Sequence, residues 1–312
     1  MTASRTRPAH AAPRLRRRAF LQLAAAGAAV PLPGGTAGAG QGFPRSLDLD
    51  VIQSGHSLTD PIVPMLDAIV ASVGGRSAMR RIDRSTVPGS PMDWRWNNRN
   101  EHLPDAREAI ADYDVLVLTE RVPLSNTMEG HASEDMALRW FTHAWTNGSR
   151  GNGAATVLYA TWVHIDSGPD FENVYHDPEA HIPFRDRLPL EMARWEAIQA
   201  HVNTNRPAGS PPMRMIPGPL ILDAVAGAIE DGTAPGLDSL DALFSDTIHV
   251  NDAGAYLIAL AHYAVIYGRD PRDLPRRIGK RGQPEPELSA WMRDLVWKTV
   301  RAYPGTGLDE PG

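Results

Sequence analysis

Short apolar runs and longer amphipathic stretches alternate along the chain from about residue 42 onward. The clearest run extends from Tyr113 to Thr119 and lies between Asp112 and the polar pair Glu120-Arg121. A bounded, nearly unbroken apolar run is typical of a buried strand in a parallel sheet. Repeated alternation of such strands with helical patterns predicts an α/β domain whose sheet is covered by helices.

The pattern predicts five strands, over residues 47–53, 78–84, 113–119, 155–162 and 213–216. Helices are predicted over residues 61–73, 133–145, 190–203, 221–229, 239–244, 252–267 and 287–301. Residues 87–105 and 166–187 fit no regular element, and long irregular segments in compact domains are commonly functional or mobile. The order favours a three-layer α/β/α sandwich with a five-stranded parallel sheet of the flavodoxin-like type, in which ligands bind at the carboxyl ends of strands.

The first 39 residues differ from the rest of the chain. Arginines at positions 14, 16, 17 and 18 precede a short apolar run, and small residues at Ala-x-Ala spacing end at Ala39. This composition predicts a signal peptide over residues 1–39, because the apolar run is too short for a stable membrane span. A basic disordered tail followed by a helix is the alternative.

The residues from Arg17 to Leu21 read Arg-Arg-x-Phe-Leu and resemble the twin-arginine export signal. The resemblance implies recognition by the twin-arginine translocase during export from a bacterial cytoplasm. We therefore expect a periplasmic or secreted protein without a stable membrane anchor, with a mature domain over residues 43–305.

Composition narrows the chemistry that is open to this chain. It has no cysteine, which excludes disulfides, thiolate metal sites and a cysteine nucleophile. Its formal net charge of −6 gives no overall basic field, so nucleic acid is not expected as a partner. Catalysis would therefore depend on oxygen and imidazole groups.

A serine, Ser57, follows the first predicted strand directly after Gly55 and His56. At a strand-to-helix turn, backbone N–H groups of the incoming helix face such a serine and can stabilise an oxyanion. The same residues also describe an ordinary helix start with Ser57 as the N-cap. The serine alone therefore does not define a site.

Near the other end of the chain, Asp246 precedes His249 by three residues, just before a predicted helix. An Asp at this spacing can accept the Nδ1–H of the imidazole, which fixes its tautomer and supports the imidazolium that forms when Nε2 takes a proton. This spacing is common by chance, so its weight comes from its combination with Ser57.

Together these segments resemble the SGNH/GDSL hydrolase family over residues 47–268. The first block keeps Gly55 and Ser57 of the family's Gly-Asp-Ser-Leu and has His56 in the variable place. The resemblance implies the SGNH hydrolase fold and two-step acyl transfer, with Ser57 as nucleophile, His249 as base and Asp246 as the acid that orients it. It implies no cofactor, because preorganised dipoles rather than a metal hold the oxyanion.

The resemblance also implies an oxyanion hole that includes the backbone N–H groups of Ser57 and Gly89. The family's third block commonly adds an Asn side chain, whereas this chain has Arg121 there. Arg121 could donate in its place, Asn97 or Asn98 could enter from the preceding irregular segment, or the two backbone groups could suffice. Loss of one such donor costs about 2.7–4 kcal/mol of transition-state stabilisation.

The predicted substrate is a small-molecule or carbohydrate ester, with removal of small acyl groups from carbohydrate as the favoured reaction. Flat aromatic faces beside amides suit a sugar ring, although packing of the irregular segment is an equal use for tryptophans. The predicted substrate-binding residues are His56, Trp94, Trp96, Asn97, Asn98, Glu120 and His164.

Two other functions fit the sequence. A protein of the same fold that has lost catalysis could bind glycans in the cell envelope, with the altered third block marking the loss. A metal-dependent hydrolase could be centred on His164, His176 and His181, which lie with Asp166 and Asp177 in a segment dense in His and Asp. A solvated polar loop is the other interpretation of that segment.

Overall fold

The structure is a computed structural model and describes residues 46–78 and 81–308. The predicted signal peptide, residues 1–39, lies outside the described residues, so the export route stays a prediction. Of the helices that are described, none is long and apolar enough to cross a membrane.

A five-stranded sheet forms the centre of the fold, and all its pairings are parallel. Its strands are β1 (Val51–Gly55), β2 (Ile82–Thr86), β3 (Val115–Leu118), β4 (Ala155–Ala160) and β5 (Arg214–Pro217). Their spatial order is β2-β1-β3-β4-β5. This confirms the predicted α/β class and the flavodoxin-like strand order.

Helices cover both faces of the sheet. They are α1 (Ile62–Ala78), α2 (Met92–Asn97), α3 (Leu124–Thr127), α4 (Ser133–Asn147), α5 (Phe184–Asn205), α6 (Gly218–Glu230), α7 (Asp252–Tyr267) and α8 (Pro286–Ala302). One core contains Val51 and Val115 with residues of α1, α6, α7 and α8, and the other contains Ile52 and Leu116 with residues of α4 and α5. Because successive strand residues point to opposite faces and both faces are covered, the central strand β3 reads as an apolar run, whereas the edge strand β2 is mostly polar.

Several element boundaries differ from the prediction. β1 begins at Val51 rather than at residue 47, and β2 begins at Ile82 rather than at 78. The predicted helix over 239–244 is a short 3₁₀ turn at Leu240–Leu243. α5 begins at Phe184 and contains Pro189, so the second predicted irregular segment ends earlier than residue 187.

The other predicted irregular segment, residues 87–105, contains α2. Two side chains of this short helix are buried, and one of them, Arg95, is charged. An apolar pattern could not identify a helix that is held in place by a buried guanidinium and by Met92. Tertiary contacts therefore decide the structure of this segment.

β1 and β3 are neighbours in the sheet, although β2 lies between them in the sequence. The connections after β1 and β3 therefore leave the sheet on opposite sides, which opens a crevice at the carboxyl ends of these two strands. The segments that follow Gly55 and Leu118 lie at this crevice.

Candidate active site

Ser57 lies in the turn that connects β1 to α1. Gly55 ends the strand, and a Cβ atom there would lie 2.2 Å from the Thr59 hydroxyl oxygen, so this close approach requires glycine. The Thr59 N–H donates to the His56 carbonyl at 2.8 Å and closes the turn. Ser57 is half-buried at this position and lines a pocket.

Three side chains that are distant in sequence form one chain of hydrogen bonds. Ser57 Oγ lies 2.8 Å from Nε2 of His249, and Nδ1 of His249 lies 2.7 Å from Oδ2 of Asp246. In the neutral tautomer with its proton on Nδ1, the imidazole donates to Asp246 and accepts at Nε2 from the Ser57 hydroxyl. The structure therefore brings together the residues that were predicted as nucleophile, base and orienting acid.

Asp246 is held by the backbone of its own loop, although 54% of its side chain is exposed. Its Oδ1 accepts the N–H groups of Ile248 at 2.8 Å and of His249 at 2.6 Å. Desolvation opposes ionisation, but these backbone donors and the contact with the His249 ring outweigh it and lower the pKa of Asp246 to about 2. The carboxylate is therefore ionised at neutral pH and can orient the imidazole.

Two backbone N–H groups at the pocket are available as donors. Within residues 46–78 and 81–308, the N–H groups of Ser57 and Gly89 donate to no acceptor, and both residues line the pocket. Gly89 has φ of 65°, a left-handed conformation that favours glycine. Unpaired donors beside a serine hydroxyl can bind an oxyanion.

His56, which was predicted to bind substrate, is only 3% exposed, although it borders the pocket. Its Nε2 lies 2.9 Å from the Glu120 carbonyl oxygen, and its Nδ1 lies 3.4 Å from the Leu58 nitrogen. Burial, assisted by the charge of Arg95, lowers the pKa of His56 to about 4. The neutral ring therefore donates to Glu120 and accepts from Leu58, which connects the ends of β1 and β3.

Glu120 was also predicted to bind substrate, and the structure corrects this because its side chain is completely buried. Oε1 accepts the N–H groups of Met92 at 2.8 Å and of Arg121 at 2.7 Å, and Oε2 accepts the Ser133 hydroxyl at 2.8 Å. Burial raises the pKa of Glu120. This carboxyl group holds α2 and α4 against the end of β3.

Arg95 is a buried charge that the sequence pattern did not reveal. Its Nε donates to Ser54 Oγ at 3.1 Å, and its terminal nitrogens donate to the carbonyl oxygens of Ser90 and Thr119. Burial lowers the pKa of Arg95 to about 10, so the group is charged at neutral pH. One side chain thus joins β1, the loop that contains Gly89, and the end of β3.

A cavity of about 270 Å³ opens beside Ser57. Apolar and polar side chains line it in similar number, and the polar ones include Ser57, His249 and His56. The lining includes Leu58, Val122, Pro123, Tyr175 and Ile248, together with Arg121, Asn126 and His164.

Asn126 and Tyr175 were not identified from the sequence. Asn126 follows β3 by eight residues, and Tyr175 comes from the long irregular segment, so only the folded chain places them at one pocket. The Asn126 side-chain amide donates to the Tyr175 carbonyl at 2.8 Å. The signal that could have identified Asn126 was an asparagine close to the third block, but its position differs from the family's pattern.

The tryptophans and asparagines of α2 do not reach the pocket. Trp94 is 41% exposed outside it, and Trp96 packs edge-on against Trp140 with ring centroids 5.0 Å apart. The amide nitrogens of Asn97 and Asn98 donate to backbone carbonyls one turn earlier, at 2.9 and 2.8 Å. The prediction of a sugar platform, or of a replacement oxyanion donor, at these residues is therefore corrected.

His164 lines the pocket, as predicted, but it does not lie in a metal cluster. Its Nδ1 is 2.8 Å from Thr247 Oγ1, and its ring stacks on Tyr175 with centroids 5.9 Å apart. In the part of the chain that the structure describes, no three His, Asp or Glu side chains converge as metal ligands. His164, His176 and His181 therefore do not form the centre that a metal-dependent hydrolase would need.

A solved structure shares this α/β fold. The chain is similar to a DUF4886 family protein from Bacteroides uniformis, with a TM-score of 0.56 and 13% identity over 85% of this chain and 97% of that chain. A likeness at this identity concerns the fold alone.

Two weaker structural matches have a TM-score of 0.43. They are a protein from Slackia heliotrinireducens that is provisionally described as an SGNH hydrolase, with 19% identity over 69% of this chain and 96% of that one, and an acetyl xylan esterase, with 14% identity over 70% and 100%. No protein-family model and no curated protein matches the sequence.

Proposed function

We propose that this protein is a serine hydrolase that cleaves carboxylic esters, as the resemblance to SGNH/GDSL hydrolases implies. The observation that carries the proposal is the hydrogen-bond chain from Ser57 through His249 to Asp246. The unpaired N–H groups of Ser57 and Gly89 support it, because an ester carbonyl that develops negative charge needs such donors.

In the first step, Nε2 of His249 takes the Ser57 hydroxyl proton as Oγ attacks the ester carbonyl. The negative charge that forms on the carbonyl oxygen is stabilised by the N–H groups of Ser57 and Gly89. Collapse of the tetrahedral intermediate breaks the bond to the alcohol oxygen, which leaves with the proton from His249. The acyl group is then bound to Ser57.

In the second step, water gives a proton to His249 and its oxygen attacks the acyl-serine carbonyl. The second tetrahedral intermediate releases the carboxylic acid and returns the proton to Ser57 Oγ. Asp246 stays ionised throughout, since its pKa is about 2, and supports the imidazolium each time it forms.

The size of the pocket supports a small acyl group. A cavity of about 270 Å³ lies below the range of about 300–1,000 Å³ that is usual for drug-sized ligands. Acetyl esters of carbohydrates remain the substrate that an exported enzyme would favour. That part of the proposal rests on the predicted signal peptide alone, because the tryptophans lie outside the pocket.

A glycan-binding protein without catalysis is the competing function. It would gain nothing from a serine hydrogen-bonded to an imidazole, nor from an ionised Asp246 that orients this ring. The assembled side chains therefore favour the hydrolase.

The test is hydrolysis of para-nitrophenyl esters, from acetate to octanoate, by the purified protein. We expect the rate to fall as the acyl chain lengthens, and we expect Ser57→Ala to lower kcat by about 10⁴-fold or more. Organophosphate treatment should add one covalent adduct to the wild-type protein, read by intact mass, and none to Ser57→Ala.

Ser239→Ala, at an exposed serine outside the pocket, is the matched control and should behave as wild type. Folding of each variant is checked by circular dichroism. A folded wild-type protein that neither hydrolyses any ester nor takes up the organophosphate would contradict the proposal.

A further inference from the structure

Arg121 occupies a fixed position at the edge of the pocket. It follows the end of β3 by three residues and is half-buried. Its backbone N–H donates to the buried Glu120 carboxyl at 2.7 Å, so the main chain from which the side chain extends is anchored. Both Arg121 and Ser57 line the same cavity.

The Arg121 guanidinium has no hydrogen-bond or ion-pair partner among residues 46–78 and 81–308. Two other arginines with buried or half-buried side chains have acidic partners. The buried Arg187 pairs with Asp177 at 2.6 Å, and the half-exposed Arg194 pairs with Glu179 at 2.5 Å. Arg121 thus has five free donors at the cavity that also contains the candidate nucleophile.

The cavity beside Arg121 offers its guanidinium no carboxylate partner. The cavity lining contains no Asp and no Glu, although the chain as a whole has a formal net charge of −6. The nearest lining residues in sequence, Val122 and Pro123, are apolar. A guanidinium that borders apolar side chains binds an anion more strongly than one in open water, and its planar fork matches a carboxylate.

We propose that Arg121 binds a carboxylate of the substrate, so that the enzyme prefers esters that carry a negative charge close to the ester bond. This inference rests on the proposed esterase function. It gives Arg121 a part in substrate selection and leaves the oxyanion to the backbone N–H groups of Ser57 and Gly89.

Two roles of Arg121 make opposite predictions. A donor to the oxyanion would act on every ester, so its loss would lower kcat for charged and neutral substrates alike. A group that binds a substrate carboxylate acts only on the charged ester and mainly through KM.

Two matched substrate pairs separate these roles and locate the carboxylate. In the alcohol part, para-acetoxybenzoate is compared with its methyl ester. In the acyl part, the mono-para-nitrophenyl ester of glutarate is compared with para-nitrophenyl pentanoate. We expect the wild-type protein to prefer the charged member of at least one pair in kcat/KM.

Arg121→Gln should reduce that preference by about 10- to 100-fold, through a raised KM for the charged ester, while kcat for the neutral esters stays within about twofold of wild type. Arg121→Lys keeps the charge without the planar fork, so its preference for the charged ester should lie between those of wild type and Arg121→Gln. High salt should weaken the wild-type preference. Arg99→Gln, at an exposed arginine outside the pocket, is the matched control.

Competitive inhibition by benzoate gives a second readout. Arg121→Gln should weaken the binding of benzoate, and the uncharged benzamide should inhibit the wild-type protein far less than benzoate does. A preference in only one pair assigns the carboxylate to that part of the substrate and supports the proposal. No preference in either pair, or an equal loss of kcat on neutral and charged esters in Arg121→Gln, would overturn it.

Failure of the inference is distinguishable from failure of the proposed function. If the wild-type protein hydrolyses neutral esters and Ser57→Ala does not, the esterase stands whatever Arg121 does. If neither charged nor neutral ester is hydrolysed and organophosphate does not label Ser57, the esterase proposal itself is wrong, and with it this one.

Discussion

The two halves of the candidate site are held in place in different ways. The half that carries Ser57 is fixed by buried side chains that connect residues 24 to 64 positions apart, from Arg95 to Thr119 and from His56 to Glu120. In the half that carries His249, the Asp246 carboxylate is exposed and accepts hydrogen bonds that span two or three residues. Long-range hydrogen bonds to the carbonyl groups of Thr247 and Ile248 hold the backbone of this loop.

Substitutions in the two halves should therefore have different effects on stability and on catalysis. Removing a buried polar group leaves its partners without hydrogen bonds inside the protein, so the first half should affect the free energy of unfolding. In the second half, the hydrogen bonds of the Asp246 carboxylate are local and the group is in contact with water. This side chain can therefore be changed with an effect on chemistry and little effect on stability.

Asp246→Asn should show the largest effect, and it should be on catalysis alone. The amide oxygen can still accept the backbone N–H groups, but the negative charge is lost and the imidazole tautomer changes. We expect kcat to fall by about 10⁴-fold, with a change in unfolding free energy below about 1 kcal/mol. Urea unfolding and ester hydrolysis measure the two, and Asp241→Asn, at a nearby exposed residue, is the control.

Arg95→Met should show the reverse pattern. The change removes a buried charge and leaves the carbonyl groups of Ser90 and Thr119 and the carboxyl of Glu120 without it. We expect the free energy of unfolding to fall by about 3–5 kcal/mol, measured by urea titration with circular dichroism. Arg99→Met, at an exposed arginine just beyond α2, should change it little. An Arg95→Met protein as stable as wild type would contradict the comparison.

His56→Gln should change how stability depends on pH. The pKa of His56 is about 4 in the folded protein and about 6.5 in the unfolded chain, so between these values only the unfolded chain binds the proton. The free energy of unfolding therefore falls as the pH is lowered from about 6.5 to 4, by at most about 3 kcal/mol for this group. His262, also buried with a pKa of about 4, contributes in the same direction.

In the variant, the fall in unfolding free energy between pH 7 and 4.5 should be smaller than that of wild type, because the contribution of His56 is removed while that of His262 remains. His262→Gln should remove the other contribution. The exposed Asp246 titrates below this range, since its pKa is about 2, so the two halves of the site should respond to acid in separate pH windows. If His56→Gln had the same pH dependence of unfolding free energy as wild type, burial of His56 would not be its cause.

The same contrast explains what the sequence could predict. The Asp246 and His249 pair is a local arrangement, so its spacing allowed the contact that the structure has, and its combination with Ser57 singled it out. The strands of the sheet were also predictable, because burial on both faces imposes apolar runs such as that of β3.

The buried polar connections of the other half left no periodic signal. Arg95 and Glu120 read as ordinary charged residues of a loop, and only the packing of α2 against β3 shows that they are buried. Trp94 and Trp96 suggested a binding surface by composition, but the direction of α2 decides where their rings lie. Tyr175 reaches the pocket from a segment whose path no local rule determines.

The hydrogen bond between Ser57 and His249 joins residues 192 positions apart, one after the first strand and the other just before α7. A chain that is still being synthesised therefore holds a serine with no base until almost the whole sheet and its covering helices exist. Under the proposed function, incomplete or truncated chains would not hydrolyse esters. Ester hydrolysis would then serve as a direct readout of completed folding, since the reactive group and the group that activates it meet only in the finished domain.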